Sequence, residues 1–427
     1  MNAHEGDRQA RSTAEAVARR SYGKLVAFLA ARTHDVAAAE DALSEAFASA
    51  LAHWPADGTP ANPEAWLLTV ARRKLIDATR AWRKDENASD DLEKLVEGVE
   101  IAADSAEIPD QRLALMFACA HPAIEESIRA PLMLQVVLGL DAVNIASAFL
   151  VSPATMSQRL VRAKNKIRHA GIPFRIPERE ELRGRLDTVL DAIYACFAEG
   201  WTDAAGTDIA RRDLAEEAIF LGHLVNQLLP NDAEALGLLA LMLHAEARRS
   251  ARRRKSEYIP LSEQDPNLWN CAMIAEAEAL LLRASSLRSI GRYQLEAAIQ
   301  SAHVHRRRSG LNNWSEVTQL YDALLATSGS PVVAINRALA IAESQSPQAA
   351  LAALKEVERD ARLAEYQPYW AARAELLAKV GAAAEAHHAY ELAIGLERDD
   401  SIRRFLQQRQ AALQLKAKDT SQREEPI

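Results

Sequence analysis

Residues 153–170 carry five basic side chains and no acid. On a helix, Thr155, Arg159, Arg162 and Lys166 recur at i, i+4, i+7 and i+11 and fall in one stripe. Met156, Leu160, Ala163 and Ile167 line a different face, so the helix has an apolar back and a cationic front. Such a front suits a polyanion: guanidinium groups pair with phosphate, and an arginine can grip the edge of a guanine through two parallel hydrogen bonds. Gln158 stands beside the stripe. Ser152–Pro153 supplies a capping hydroxyl followed by the one residue that favours the first helical position. A short helix, Asp141–Ala148, precedes this start, which predicts a helix-turn-helix whose second helix meets base edges in a major groove. The plainer alternative is a solvated basic helix.

A second basic stripe lies in residues 64–84. Leu67, Val70, Ala71, Leu75, Ala78 and Trp82 share one side, and Arg72, Arg73, Arg80, Arg83 and Lys84 share the other. Its charge is +4, and with the five bases of 153–170 the two segments hold +9, leaving −17 for the rest of a chain whose net charge is −8. Two basic islands in an acidic protein describe a bipartite nucleic-acid reader with a partner-binding remainder. Trp66 and Trp82 suit a core better than a base stack. The run Arg248–Lys255 has six bases in eight positions and reads equally as a third nucleic-acid contact or an exposed loop.

No catalytic constellation accompanies these features. His244 and His303 lack partners at metal-ligand spacing, and His387–His388 are adjacent rather than stacked on one helix face. Cys119, Cys196 and Cys271 form no CxxC pair, so neither disulfide framework nor zinc site is expected. No phosphate-binding glycine loop occurs. The expectation is therefore a non-enzyme with no cofactor and no metal. The opening residues hold no apolar run of signal-peptide length and no segment reaches the roughly 20 apolar residues of a membrane span, so a cytoplasmic protein is expected.

These stripes must be positioned by helices. Gly and Pro together number 32 of 427 residues, well below the usual share of about 12%, and Ala, Leu, Glu and Arg, which cost least in a helix, abound. The predicted fold class is all-α. Val36, Ala39, Leu43, Phe47, Ala50 and Trp54 recur at helical steps behind an N-capping Asp35. The stretch 55–63, with three prolines and a glycine, predicts a loop. Residues 85–107 carry nine acids and one base and read as an acidic linker. Beyond 186 the chain is helix after helix, with Trp370, Ala374, Leu377, Gly381, Ala386, Tyr390 and Ala393 at the spacing of a tetratricopeptide helix pair and Ala338 lying 36 residues before Ala374. A generic helical bundle is the alternative for that third.

In this order the features resemble the sigma-70 family of RNA polymerase sigma factors, most closely the extracytoplasmic-function type. DVAAAEDALSEAFASALAHW (35–54) looks like that family's core-polymerase-binding helix, NPEAWLLTVARRKLIDATR (62–80) like its −10 region, and 141–169 like its −35 reader. FACAHPAI (117–124), RLVRAKNKIRHAGIPF (159–174) and PLSEQDPNLWN (260–270) are similar to the subgroup with a tetratricopeptide-like C-terminal extension. The resemblance implies that Glu40, Asp41, Glu45 and Phe47 dock core polymerase. It implies that Asn62, Trp66, Arg72, Arg73, Lys74 and Arg80 serve the −10 element, although Arg73 stands where the family usually has Asn. Thr155, Gln158, Arg159, Arg162 and Lys166 would face the −35 element. The expected organisation is a region 2-like domain (1–84), the linker (85–107), a region 4-like domain (108–172), a hinge (173–185), a regulatory repeat domain (186–415) and a disordered tail (416–427). The implied partners are core RNA polymerase and promoter DNA, with an intramolecular contact from the extension, where Glu263, Gln264, Asp265 and Trp269 offer a turn. A helix-turn-helix regulator with a repeat-based sensor, and a repeat scaffold that binds RNA, stay open as alternatives.

Overall fold

Helix formers at almost every position leave the chain little other choice, and the computed structural model describes residues 3–83, 110–148, 151–201, 209–255 and 257–423 as eighteen α-helices and one two-stranded hairpin. Residues 84–109, which include the acidic linker, lie outside the described part. The contacts divide the chain into two compact units, 1–203 with 208–224, and 204–207 with 225–427.

The first unit opens with α1 (Ala3–Thr33), α2 (Val36–Asp57) and α3 (Pro63–Arg83) packed on one another. Asp35 caps α2, its carboxylate accepting from the Ala38 amide at 3.1 Å. Pro55 sits inside the last turn of α2, so the expected loop narrows to the residues between Asp57 and Pro63. The core here is Leu25, Phe28, Leu43, Ala46, Trp54 and Leu67, all essentially inaccessible to solvent. Then come α4 (Arg112–Cys119), α5 (Glu126–Leu138), α6 (Ala142–Ala148), α7 (Pro153–His169), α8 (Arg179–Trp201) and α9 (Ile209–Leu228). Helix α8 packs against α4 and α5. The unit therefore does not end at the expected hinge 173–185: a helix begins inside that stretch and its apolar face, with Leu186, Val189, Leu190 and Ile193, belongs to the N-terminal core.

The second unit begins with α10 (Ala233–Glu246), apolar on every side and buried from Ala235 to Ala245, as such a helix must be. It packs on α11 (Cys271–Ser286) and α12 (Arg292–Ser309). A Cβ on Gly237 would lie 2.5 Å from the Gln294 backbone nitrogen, so glycine is what allows α10 and α12 to meet backbone to backbone. Glu234 fixes the same crossing by accepting from the Tyr293 and Gln294 amides, each at 3.1 Å. Helices α13 (Trp314–Ser328), α14 (Pro331–Ser344), α15 (Pro347–Lys355), α16 (Gln367–Val380), α17 (Ala383–Leu396) and α18 (Asp400–Arg423) follow, each packed on its predecessor. Gly381 turns the chain in the left-handed conformation (φ 84°) between α16 and α17, and Ala374, Leu377, Ala386, Tyr390 and Ala393 bury together between them. Helix α18 continues to Arg423, past the expected start of a disordered tail at 416.

A short hairpin, β1 (Arg253–Arg254) with β2 (Glu257–Tyr258), interrupts the helices. Among the described residues no helix is long and apolar enough to cross a membrane.

Candidate nucleic-acid interface

Helix α7 begins where Ser152 accepts a hydrogen bond from the Thr155 amide at 3.2 Å and Pro153 takes the first turn. Met156, Leu160, Ala163 and Ile167 anchor its back in the core. Thr155, Gln158, Arg159, Arg162 and Lys166 are all exposed on the other faces. Arg159, Arg162 and Lys166 share a groove of about 460 Å³ with Glu125 and Ile128 at the start of α5. Three cations against one acid make this groove a place for an anionic strand, with the guanidinium groups free to approach bases or phosphates.

The remaining two cations of α7 have other work. Lys164 forms an ion pair with Glu40 of α2 at 2.8 Å, both side chains about 15% exposed. Arg168 reaches Asp35, the cap of α2, at 3.4 Å. His34 and Phe174 pack ring to ring at 5.7 Å beside them. On the same side, a Cβ on Gly23 of α1 would lie 1.7 Å from the Val137 carbonyl oxygen of α5, so these two helices cross with no room for a side chain. The α1–α3 group and the α4–α7 group are thus locked together by a close crossing and a partly desolvated ion pair. Glu40 is engaged within the chain rather than open on its surface.

The other expected polymerase-docking residues lie as follows. Asp41 and Glu45 are exposed, Glu45 pairing with Lys74 at 2.9 Å. Phe47 is half-buried and stacks on Tyr22 with ring centroids 6.4 Å apart. Burial, reinforced by the charges of Glu40 and Asp41, pushes the Tyr22 phenol up to about 12.

Asn62 caps α3, accepting from the Ala65 amide at 3.1 Å, and lines a cavity of about 470 Å³ with Thr13, Arg20, Lys24 and Glu64. Trp66 meets the buried Trp54 edge to face at 5.4 Å, the packing role that tryptophan at this spacing suggests. Arg72 is half-buried and Arg73 exposed, while Lys74 is turned towards α2 by Glu45. The backbone of α3 includes Arg80, but its side chain lies outside the described residues. The first-unit structure therefore gathers Arg159, Arg162 and Lys166 in one groove and Asn62 with Arg20 and Lys24 in another. Arg20, Lys24, Lys164 and Arg168 were not singled out by sequence reasoning, because what gives them a role is a neighbour on another helix.

The basic run 248–255 is mostly structural. Arg248 is 8% exposed and donates to Gln300 at 2.6 Å, and burial lowers its pKa to about 10. Arg249 pairs with Glu246 at 2.7 Å, and Arg253 with Asp399 at 2.5 Å and Ser401 at 2.6 Å. Of the six bases in the run only Arg254 and Lys255 stand exposed. Of the turn residues Gln264 and Trp269 are buried, so they hold the unit together rather than present a surface. Cys119 is buried on α4, where burial pushes its thiol pKa up and leaves it inert. Among the described residues no group of three or more His, Cys, Asp or Glu is placed to hold a metal ion.

Residues 17–85, spanning most of α1 together with α2 and α3, match the family profile of sigma-70 region 2. Residues 185–285 match that of a family of unknown function (DUF6596). An uncharacterized protein of Rhizobium meliloti (strain 1021) is 38% identical over 364 residues, covering 84% of this chain and 86% of its own. No solved structure matches. The region 2 match supports a place in the sigma-70 family and a role in transcription initiation.

Proposed function

We propose that this chain, which belongs to the family of its Rhizobium relative and carries a sigma-70 region 2, is an RNA polymerase sigma factor of the extracytoplasmic-function type. It binds core polymerase through α2 and reads promoter DNA with two separate basic surfaces. The region 2 match over α1–α3 carries this reading. The exposed stripe of α7 supports a helix-turn-helix at the −35 element, with Thr155, Gln158, Arg159, Arg162 and Lys166 facing the DNA. The cavity beside Asn62 suits capture of an unstacked −10 base, with Arg72 and Arg73 on the departing strand. Helices α10–α18 form a tetratricopeptide-like extension that regulates the rest, in the cytoplasm where the polymerase acts.

By their names the two promoter elements lie about 25 base pairs apart, or ~85 Å along a duplex at 3.4 Å per base pair. The −10 surface of α3 packs on α2, and α7 is joined to α2 by the Lys164–Glu40 pair, so the two surfaces cannot read both elements at once. The sigma reading therefore requires the α4–α7 group to leave α2 when polymerase binds, which also frees Glu40 for docking.

Run-off transcription with bacterial core polymerase from the promoter of an upstream gene tests the reading. The wild type is expected to give a promoter-specific transcript and to comigrate with core polymerase on gel filtration, and the double variant Arg159→Ala, Arg162→Ala to lose the transcript while keeping comigration. Absence of both transcript and comigration for the wild type would overturn the proposal in favour of a helix-turn-helix regulator with a repeat-based sensor.

A further inference from the structure

The second unit carries a cavity of about 640 Å³, open on one side, that neither reader of the first unit uses. One wall is the strap Tyr258–Glu263, which runs into the start of the PLSEQDPNLWN stretch. The opposite walls are α14, α16 and α18, with Tyr390 of α17 at the base. The strap is pinned along its length. Arg253 bonds Asp399 and Ser401 at the head of α18, and the Ile259 amide donates to the Arg252 carbonyl at 2.8 Å. Tyr258 packs edge to face on Phe405 of α18 at 5.5 Å. The Gln264 side chain donates to the Ile259 carbonyl at 3.2 Å, and Arg307 of α12 donates to the Gln264 carbonyl at 2.7 Å. Neutral bonds at Ile259, a ring contact at Tyr258 and arginine bonds at each end of the strap make it a built wall.

The size falls within the roughly 300–1,000 Å³ of small-molecule sites. Its floor is apolar, from Ile335 and Leu339 of α14 across Ala371 and Ala372 of α16 to Phe405 of α18. At one end Arg409 pairs with Glu375 at 2.6 Å, and the Tyr390 hydroxyl donates to the other Glu375 oxygen at 3.1 Å. Tyr390 is 3% exposed, and burial beside Glu375 pushes its phenol up to about 12, so it remains a donor. Both oxygens of Glu375 are thereby engaged. Arg409 is oriented by that carboxylate and, with five N–H groups in its fork, keeps donors for a second anion. Among the described residues the other acid on the wall is Glu263; it and Arg409 are both exposed, so water screens the two charges alike.

We propose that this cavity binds an apolar organic acid, its hydrocarbon or aromatic body on the Ile335–Leu339–Phe405 floor and its carboxylate on Arg409. The site belongs to the second unit alone and stands whether or not the first unit is a sigma factor. It gives the extension a chemical input of its own.

Calorimetric titration of the full-length protein with naphthoate, naphthamide and naphthylmethylamine separates the possibilities. Naphthoate is expected to bind one to one and about tenfold tighter than the neutral amide or the cationic amine, the size of one charge-assisted hydrogen bond. Arg409→Gln should bring naphthoate down to the level of the amide, and Leu339→Trp, which fills the floor, should remove binding of all three. Ala371→Leu serves the same purpose if circular dichroism shows Leu339→Trp unfolded. Absence of saturable naphthoate binding would overturn the site, as would binding unchanged by the filling variants. An amine that binds as tightly as the acid would overturn the ligand class.

Discussion

Lys164 and Lys166 stand two positions apart on one helix and have different fates. Lys166 is exposed with Arg159 and Arg162, whereas Lys164 is held by Glu40. Under the sigma reading, Arg159→Ala and Arg162→Ala each remove about 1–3 kcal/mol of discrimination, roughly a tenfold to hundredfold loss of −35-dependent transcription. Lys166→Ala, a phosphate contact, should weaken binding evenly across sequences and reduce the salt slope by about 1. Filter binding of the holoenzyme over a salt series would show both. The stripe itself was legible because i, i+4 and i+7 place side chains together whatever surrounds the helix. The partners of Lys164 and Arg168 were not, since Glu40 and Asp35 lie on another helix more than 120 residues earlier. The same reason explains the basic run 248–255: its answering groups, Gln300 and Asp399, come from α12 and the approach to α18.

At the scale of elements, local signals fixed what local chemistry controls. The Asp35 and Ser152 caps, the helix over 64–83 and the α16–Gly381–α17 turn all lie where residue type and spacing place them. Helix α8 starting inside the expected hinge is the counterexample, because Pro173 and Pro177 end one segment without forbidding the next from packing back. Two glycines matter through their neighbours rather than their own backbone. Gly237→Ala should destabilise the second unit by about 1–3 kcal/mol, since the new methyl meets the Gln294 backbone, and urea denaturation would register the loss. Gly23→Ala is different. Alanine favours α1 as a helix by roughly 1 kcal/mol yet cannot fit against Val137, so the α1–α3 core should hold while the α4–α7 group lifts away. Small-angle scattering should then report a larger radius for the variant than for the wild type, and under the sigma reading core polymerase should bind the variant more tightly.

The whole molecule carries a pH limit in its second unit. His244 is fully buried, and burial, with Arg248 nearby, lowers its pKa to about 4; burial beside Arg306 and Arg248 lowers that of His303 to about 3. Both folded values lie below the 6.5 of an unfolded histidine, so the unfolded chain binds more protons as acid is added. Their contribution to stability is complete above about pH 6.5 and is lost as pH falls towards the folded values. Urea unfolding at about pH 5 should show the unit weaker by roughly 2 kcal/mol per histidine than at about pH 7.5. The division between units also dictates where the chain can be cut. A fragment ending at 180 would strip α8 from the apolar faces of α4 and α5, whereas one ending near 224 keeps the first unit whole. Within that unit, the Lys164–Glu40 pair closes a loop of 124 residues. Closing so long a loop is an entropic step that neighbouring helices need not take, and its cost grows only slowly with further length. The α1–α3 group, whose helices follow one another in the chain, can collapse while it is still emerging from the ribosome. The docking of α7 on α2 must wait for the rest, so the nascent chain exposes Glu40 before the finished protein conceals it.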